Sequence, residues 1–163
     1  MTIGTLPTWR RKPSAELPSA VEQLLLDLVA DGFVVYCCGD RRAPAALIAS
    51  YEWPQYVDLV TIQDFERITT ARVAKQGKVD VFAPELVVWA YEGTAEHALR
   101  ALLNLAHPEH PDAPTASYPA PSSLCVPRHE QRPTTIRLPP PGRAQVRAAR
   151  LTDLWLSDPP EPS

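Results

Sequence analysis

Thirteen of the nineteen prolines in this 163-residue chain lie in its last 56 residues, and none lies between Gln55 and Ala83. A proline inside a sheet removes a ladder donor, so a sheet belongs in the proline-free interval and its flanks. The chain then reads as five segments: a flexible N-terminus (1–14), a compact domain (15–107), a proline-rich arm (108–142), a short helix (143–156) and a frayed tail (157–163). This length suits a single domain.

Within residues 15–107, Ser19 and Glu22 form a capping box ahead of Val21, Leu24, Leu25, Leu28 and Val29 on one helical face. Asp31-Gly32 closes that helix, Gly32 being free to turn left-handed. Residues 33–38 (FVVYCC) read as a buried central strand. Residues 45–52, 56–62, 67–74, 79–82 and 86–91 read as further strands, and Thr94 caps a second helix with Ala95, Ala98, Leu99 and Leu102 on its apolar side. Connections this short make the strands antiparallel, since a parallel crossover needs about a dozen residues. The fold class is therefore α+β: a mostly antiparallel four- to five-stranded sheet with two helices on one face, followed by the proline-rich arm and a short C-terminal helix. With too few apolar residues for a core of its own, the arm is either disordered or lies along the domain in polyproline II form, docked through Leu124, Val126, Ile136 and Leu138. Val146, Leu151, Leu154 and Trp155 are the candidate anchors of the last helix.

Charge is segregated. Residues 1–12 carry +3, residues 13–127 carry −8, residues 128–150 carry +5 and residues 151–163 carry −3. Arg143, Arg147 and Arg150 fall on one helical face of the basic segment. Such a stripe either folds back on the acidic body, meets an acidic partner, or contacts phosphates. An acidic body repels a polyanion and no aromatic is interleaved among these arginines, so nucleic acid is the less favoured partner. No apolar run approaches the roughly 20 residues of a membrane span, and no signal-peptide core follows Met1. A cytoplasmic setting with Cys37, Cys38 and Cys125 as reduced thiols is the expectation.

Chemistry-bearing residues are few. Asp58 lies between Val57 and Leu59 in an apolar strand, so it faces solvent or is buried with a partner. Pairing with Arg41 or Arg42 makes this the candidate catalytic neighbourhood. Cys37-Cys38-Gly39-Asp40-Arg41-Arg42 lacks the spacing of a phosphatase-type cysteine loop, and a vicinal disulfide would be strained. His107 and His110, followed by Cys125 and His129, have zinc-compatible spacing, but exposed histidines in a linker are the plainer reading and no metal is favoured. No nucleotide-binding or hydrolase motif occurs, and no cofactor is expected. Tyr51, Trp53, Trp89 and Tyr91 gather near strand ends, where an aromatic surface suits a polyproline segment of the arm or of another protein.

The stretches GFVVYCCGDRRAPAALIASYEW, YVDLVTI, DVFAPELVVWAYEG and RLPPPGRAQVRAARL together resemble a family of short actinomycete proteins of unknown function. The resemblance implies a bacterial cytosolic setting and supplies no activity or ligand. The residues favour a non-catalytic protein-interaction or regulatory module, using Tyr51, Trp53, Trp89, Tyr91, Arg143, Arg147 and Arg150. Another protein is the expected partner, with no oligomeric state specified. A small enzyme at Asp58, Arg41 and Arg42 and a nucleic-acid accessory protein using the arginine stripe are the alternatives.

Overall fold

Strand-forming sequence around the proline-free interval builds one antiparallel sheet. A computed structural model of the chain describes residues 19–40, 43–64, 66–76 and 79–157. The expectations for residues 1–14 and 158–163 lie outside the described residues. The elements are α1 (Ser19–Ala30), β1 (Val34–Asp40), β2 (Ala43–Glu52), β3 (Tyr56–Asp64), β4 (Arg67–Ala74), β5 (Leu86–Gly93), α2 (Ala95–Leu103), β6 (Tyr118–Pro119), β7 (Pro133–Arg137) and α3 (Val146–Ser157). The sheet runs in the order β6-β5-β4-β3-β2-β1-β7, so the α+β class holds with seven strands rather than four or five. The two additional strands come from the proline-rich segment and take the two edges, where one side of a strand needs no donor.

Residues 79–82 do not form the expected strand. Asp80 accepts the Phe82 N–H on its side chain at 2.9 Å and the Ala83 N–H on its carbonyl at 3.2 Å, a local turn that displaces ladder pairing. The edge of β4 goes instead to β5. Val79, Val81 and Phe82 pack from the turn onto the sheet.

Side-chain alternation sorts the sheet into two buried faces. On the first, Ala49, Val60, Ile62 and Ile68 meet Leu24 and Leu28 of α1, Ala98, Leu99 and Leu102 of α2, and Leu151 of α3, so three helices share the face expected to hold two. On the second, Ile48, Val57, Leu59, Ala71, Val73 and Val87 are covered by Leu124 and Val126. Val126 N–H donates to Phe82 O at 2.7 Å and Ala120 N–H to Glu85 O at 2.9 Å, tying two irregular segments together over the sheet. Of the expected anchors of the arm, Leu124 and Val126 are buried, Leu138 is 69% exposed, and the Ile136 side chain lies outside the described residues. Cys37 and Cys38 are buried thiols of β1 outside any disulfide. Burial, then Cys37, Asp80 and Glu130, pushes the Cys38 thiol up to about 11, where it is inert as a nucleophile.

The end of α1 fixes where α3 arrives. Phe33 N–H bonds Leu28 O at 3.0 Å and Gly32 N–H bonds Val29 O at 3.1 Å, the paired closure of a Schellman motif with Gly32 at φ +109°. A Cβ on Gly32 would stand 2.8 Å from Arg143 O and 3.1 Å from Ala144 O, so glycine also admits the backbone leading into α3. That helix begins at Val146, three residues later than expected, with Leu151 buried and Leu154 54% exposed. Gly142 has φ +83° with nothing within 4 Å of a Cβ, which makes it a matched control. Gly32→Ala is expected to cost more than Gly142→Ala, because both bear the roughly 1–3 kcal/mol left-handed penalty and only Gly32 meets backbone. Urea denaturation of the two variants measures the difference.

Candidate functional site

Asp58 is placed by strand parity. On β3 it shares the helix-bearing face with Val60 and Ile62, and in register it lies opposite Arg72 of β4 and Tyr51 of β2. Asp58 and Arg72 are both completely buried. Arg72 grips the carboxylate with a fork, Nε donating to Oδ1 at 2.7 Å and Nη2 to Oδ2 at 3.0 Å, while Nη1 donates to Ala106 O at 2.6 Å. Trp53 Nε1 donates to Oδ2 at 2.8 Å. The third partner is Arg147 of α3, also completely buried, with Nε 3.0 Å and Nη2 2.9 Å from Oδ2.

Arg147 carries the cluster onward. Its Nη1 reaches Asp31 Oδ2 at 3.1 Å, and Arg150 forks onto the same carboxylate at 2.9 and 2.8 Å. Both arginines also donate to the carbonyls that end α2: Arg147 Nη2 to Leu102 O at 2.8 Å and Arg150 Nη2 to Leu103 O at 2.9 Å. Cations at the negative end of a helix are favourable, and Leu102 O accepts the Leu105 N–H at 3.1 Å besides. The first turn of α3 is satisfied in return. Arg147 N–H donates to Asp31 O at 2.9 Å, Ala148 N–H to Tyr51 Oη at 3.2 Å and Ala149 N–H to Gln145 O at 3.0 Å.

Burial alone would raise the Asp58 pKa. The charge of Arg147, the hydrogen bond and charge of Arg72 and the Trp53 N–H outweigh it, holding the carboxyl below its ordinary value. An ionised carboxylate with four donors converging on it has no oxygen left for a substrate, so the cluster is a structural lock. The arginines described on Asp58 are Arg72 and Arg147, and the expected pairing with Arg41 or Arg42 falls on residues outside the described ones. Of the readings of the arginine stripe, Arg147 and Arg150 follow the fold back onto the acidic body. Arg143 is exposed and precedes α3, Arg147 is sealed in the core, and Arg150 is engaged with Asp31, because the helix turns this face onto buried carboxylates. Removing one member of a fully buried charge pair strands the others, so Asp58→Ala is expected to cost about 3–5 kcal/mol. Adding Arg147→Ala to it should cost far less than that substitution alone, a coupling that a double-mutant denaturation cycle reads.

Beside the lock lies an open cleft of about 370 Å³, with Tyr51, Trp53, Tyr56, His107 and Gln145 among its lining and Glu52 and Glu109 at its rim. Trp53 is the shared wall. Its indole N–H is spent on Asp58, and its ring meets Tyr51 at 5.0 Å and His107 at 4.8 Å between centroids. His107 continues to Trp155 of α3 at 5.7 Å, and Trp155 to His110 at 5.4 Å. His107 Nδ1 accepts the Glu109 N–H at 3.1 Å, which places the proton of the neutral ring on Nε2. Tyr51 Oη accepts from Ala148 and keeps its own proton to donate, its pKa raised chiefly by burial.

The predicted aromatic surface is therefore divided. Tyr51 and Trp53 are each 4% exposed and form cleft wall, whereas Trp89 and Tyr91 stack at 6.5 Å on β5, separated from β2 by β3 and β4. The zinc-compatible spacing does not converge either. His107 and His110 pack with Trp155, Cys125 and His129 are exposed in the segment crossing the opposite face, and among the described residues no three His, Cys, Asp or Glu side chains form a metal-holding group. Arg72 and Asp31 went unselected in the sequence. A lone Arg at the same inward parity as a lone Asp on the neighbouring strand was the available signal.

Comparison with protein-family models, curated proteins and solved structures finds no match to this chain. Function is therefore read from the geometry.

His107 also sets a pH response. Burial first, then Arg72 and His110, lower its pKa below the ordinary 6.5, against the opposing pull of Glu109 and Asp58. With the folded value depressed, the unfolded chain binds the proton first. Stability is full above the unfolded value and falls as pH drops through the folded one. Thermal unfolding is expected to show Tm declining below about pH 6.5, and His107→Asn, which keeps an acceptor for Glu109 N–H, should flatten that decline.

Proposed function

We propose that the chain is a non-catalytic protein-interaction module whose recognition site is the cleft walled by Tyr51, Trp53, Tyr56 and His107. The observation that carries this reading is a contrast between two adjacent places. The charged cluster is closed, with its Asp58 carboxylate fully engaged, while the cleft beside it is open and keeps two donors, Tyr51 O–H and the His107 ring N–H. Its walls stand on β2, β3 and α3, a rigid frame of the kind that holds a binding constellation in place. The volume lies at the lower end of pockets that take small ligands or single side chains.

The alternatives lack comparable support. A small enzyme at Asp58 has no carboxylate oxygen exposed to work with. A nucleic-acid stripe loses Arg147 to the core. Among the described residues no helix is long and apolar enough to cross a membrane. Selection from a displayed peptide library on the immobilised full chain tests the module. A shared motif is expected on the wild type and not on Gln145→Trp, whose indole fills the cleft from an exposed position. Absence of any motif on the wild type, or the same motif on the blocked variant, would overturn the proposal.

A further inference from the structure

The cleft has a chemistry more specific than an aromatic surface. Two carboxylates line it: Glu52, 77% exposed in its side chain, is ion-paired with Lys75 at 2.9 Å, and Glu109 has no ion pair among the described residues. Its walls are ring faces and edges, flanked by Pro54 and Pro108. The buried positive charge of Arg72 lies behind Trp53, with its guanidinium carbon 5.8 Å from the Trp53 ring, and is neutralised there by Asp58. A ligand entering from solvent therefore meets carboxylates together with aromatic rings.

The donors supply a second, independent constraint. Tyr51 is buried to 96% by its 4% exposure, and its hydroxyl accepts from Ala148 without spending its proton. His107, neutral above its lowered pKa, carries its proton on Nε2 because Nδ1 is occupied by Glu109 N–H. Two donors beside two carboxylates fit a ligand that brings acceptor oxygens together with a positive charge. An extended peptide does so: its backbone carbonyls are unpaired, and a polyproline II segment presents them without internal hydrogen bonds. A guanidinium or ammonium on the same peptide is drawn to ring faces and carboxylates together.

Resting on the module reading, we infer that the cleft binds a basic, proline-containing peptide segment of a partner protein, its cationic head between Glu52 and Glu109 and its carbonyls on Tyr51 and His107. Titration of the full-length protein, followed by tryptophan fluorescence and calorimetry, tests this with three synthetic peptides. One alternates proline with arginine, one replaces each arginine by citrulline, and one keeps arginine and replaces proline by glycine. The first is expected to bind about tenfold more tightly than either of the others, equivalent to about 1.4 kcal/mol. Its affinity should weaken as salt rises from about 50 to about 300 mM and should fall on Glu109→Gln, an exposed position whose substitution leaves the fold intact. Equal binding of the citrulline peptide, blocked by Gln145→Trp, would overturn the inference on charge and leave the module standing. Binding unaffected by both Glu109→Gln and Gln145→Trp would place the peptide elsewhere and overturn the inference. Failure of all three peptides to bind would overturn it as well, and a motif of other composition in the library selection would then keep the module reading apart from it.

Discussion

The Asp58 carboxylate sits with zero exposure between guanidinium groups that arrive from opposite parts of the chain, 14 residues away at Arg72 and 89 residues away at Arg147. Withdrawing a carboxylate and two guanidinium groups from water costs several kcal/mol per ion, and mutual attraction repays this only when every partner is in place. The consequence is cooperativity. With α3 undocked, Asp58 would lose Arg147, the last carbonyls of α2 would lose two charged donors, and Asp31 would lose both of its arginine partners. A partly assembled cluster is more costly than either complete assembly or full exposure, so the C-terminal helix belongs to the domain in an all-or-none way.

The cleft inherits this dependence. Trp53 is oriented by its bond to Asp58, Tyr51 by the Ala148 N–H, and the far wall by Gln145 and Ala148 as α3 begins. The last two contacts exist only with α3 docked, whereas the Trp53–Asp58 bond is made within the sheet, so a ligand that spans the cleft would link its binding to the docking of α3. A ligand that binds only the docked form stabilises the docked helix by its own binding free energy. Gly32 belongs to the same coupling, since it lets the backbone at Arg143 and Ala144 pass close enough for Arg147 to descend onto Asp31.

How much of this was legible in the residues follows from what hydrophobic patterning can sense. The strand read at residues 33–38, which lies second from the sheet edge rather than at its centre, the left-handed Gly32, the α+β class and the oddity of Asp58 are all local departures or periodicities, and they can be seen without a partner. The docking of α3 is different. Leu151 is its one apolar residue in the buried core, with Ala148 packed at the margin and Trp155 against two histidine rings, and much of the rest of its attachment is ionic and therefore reads as a wet face. Periodicity identified the arginine stripe but not which side of the helix it would turn to water, because that depends on where the chain places Asp31 and Asp58. Residues 79–82 show the converse error. Their alternation suits a strand, but Asp80 satisfies the local backbone and β5 takes the adjacent sheet edge.

An apolar plug of similar volume could secure α3 about as firmly, since replacing buried ion pairs with packed hydrophobes is often neutral or stabilising. What the charges add is register. Side chains along a helix rotate by about 100° per residue, so a slip of one position carries Arg147 off Asp58 and Arg150 off Asp31 at once. A mostly apolar contact centred on Leu151 and Ala148 would tolerate such a slip far better. The cleft needs Ala148 opposite Tyr51 and Trp155 against His107, a seven-residue span along one helix face that only one register satisfies. The buried arginines thus set the geometry of a site they do not themselves enter.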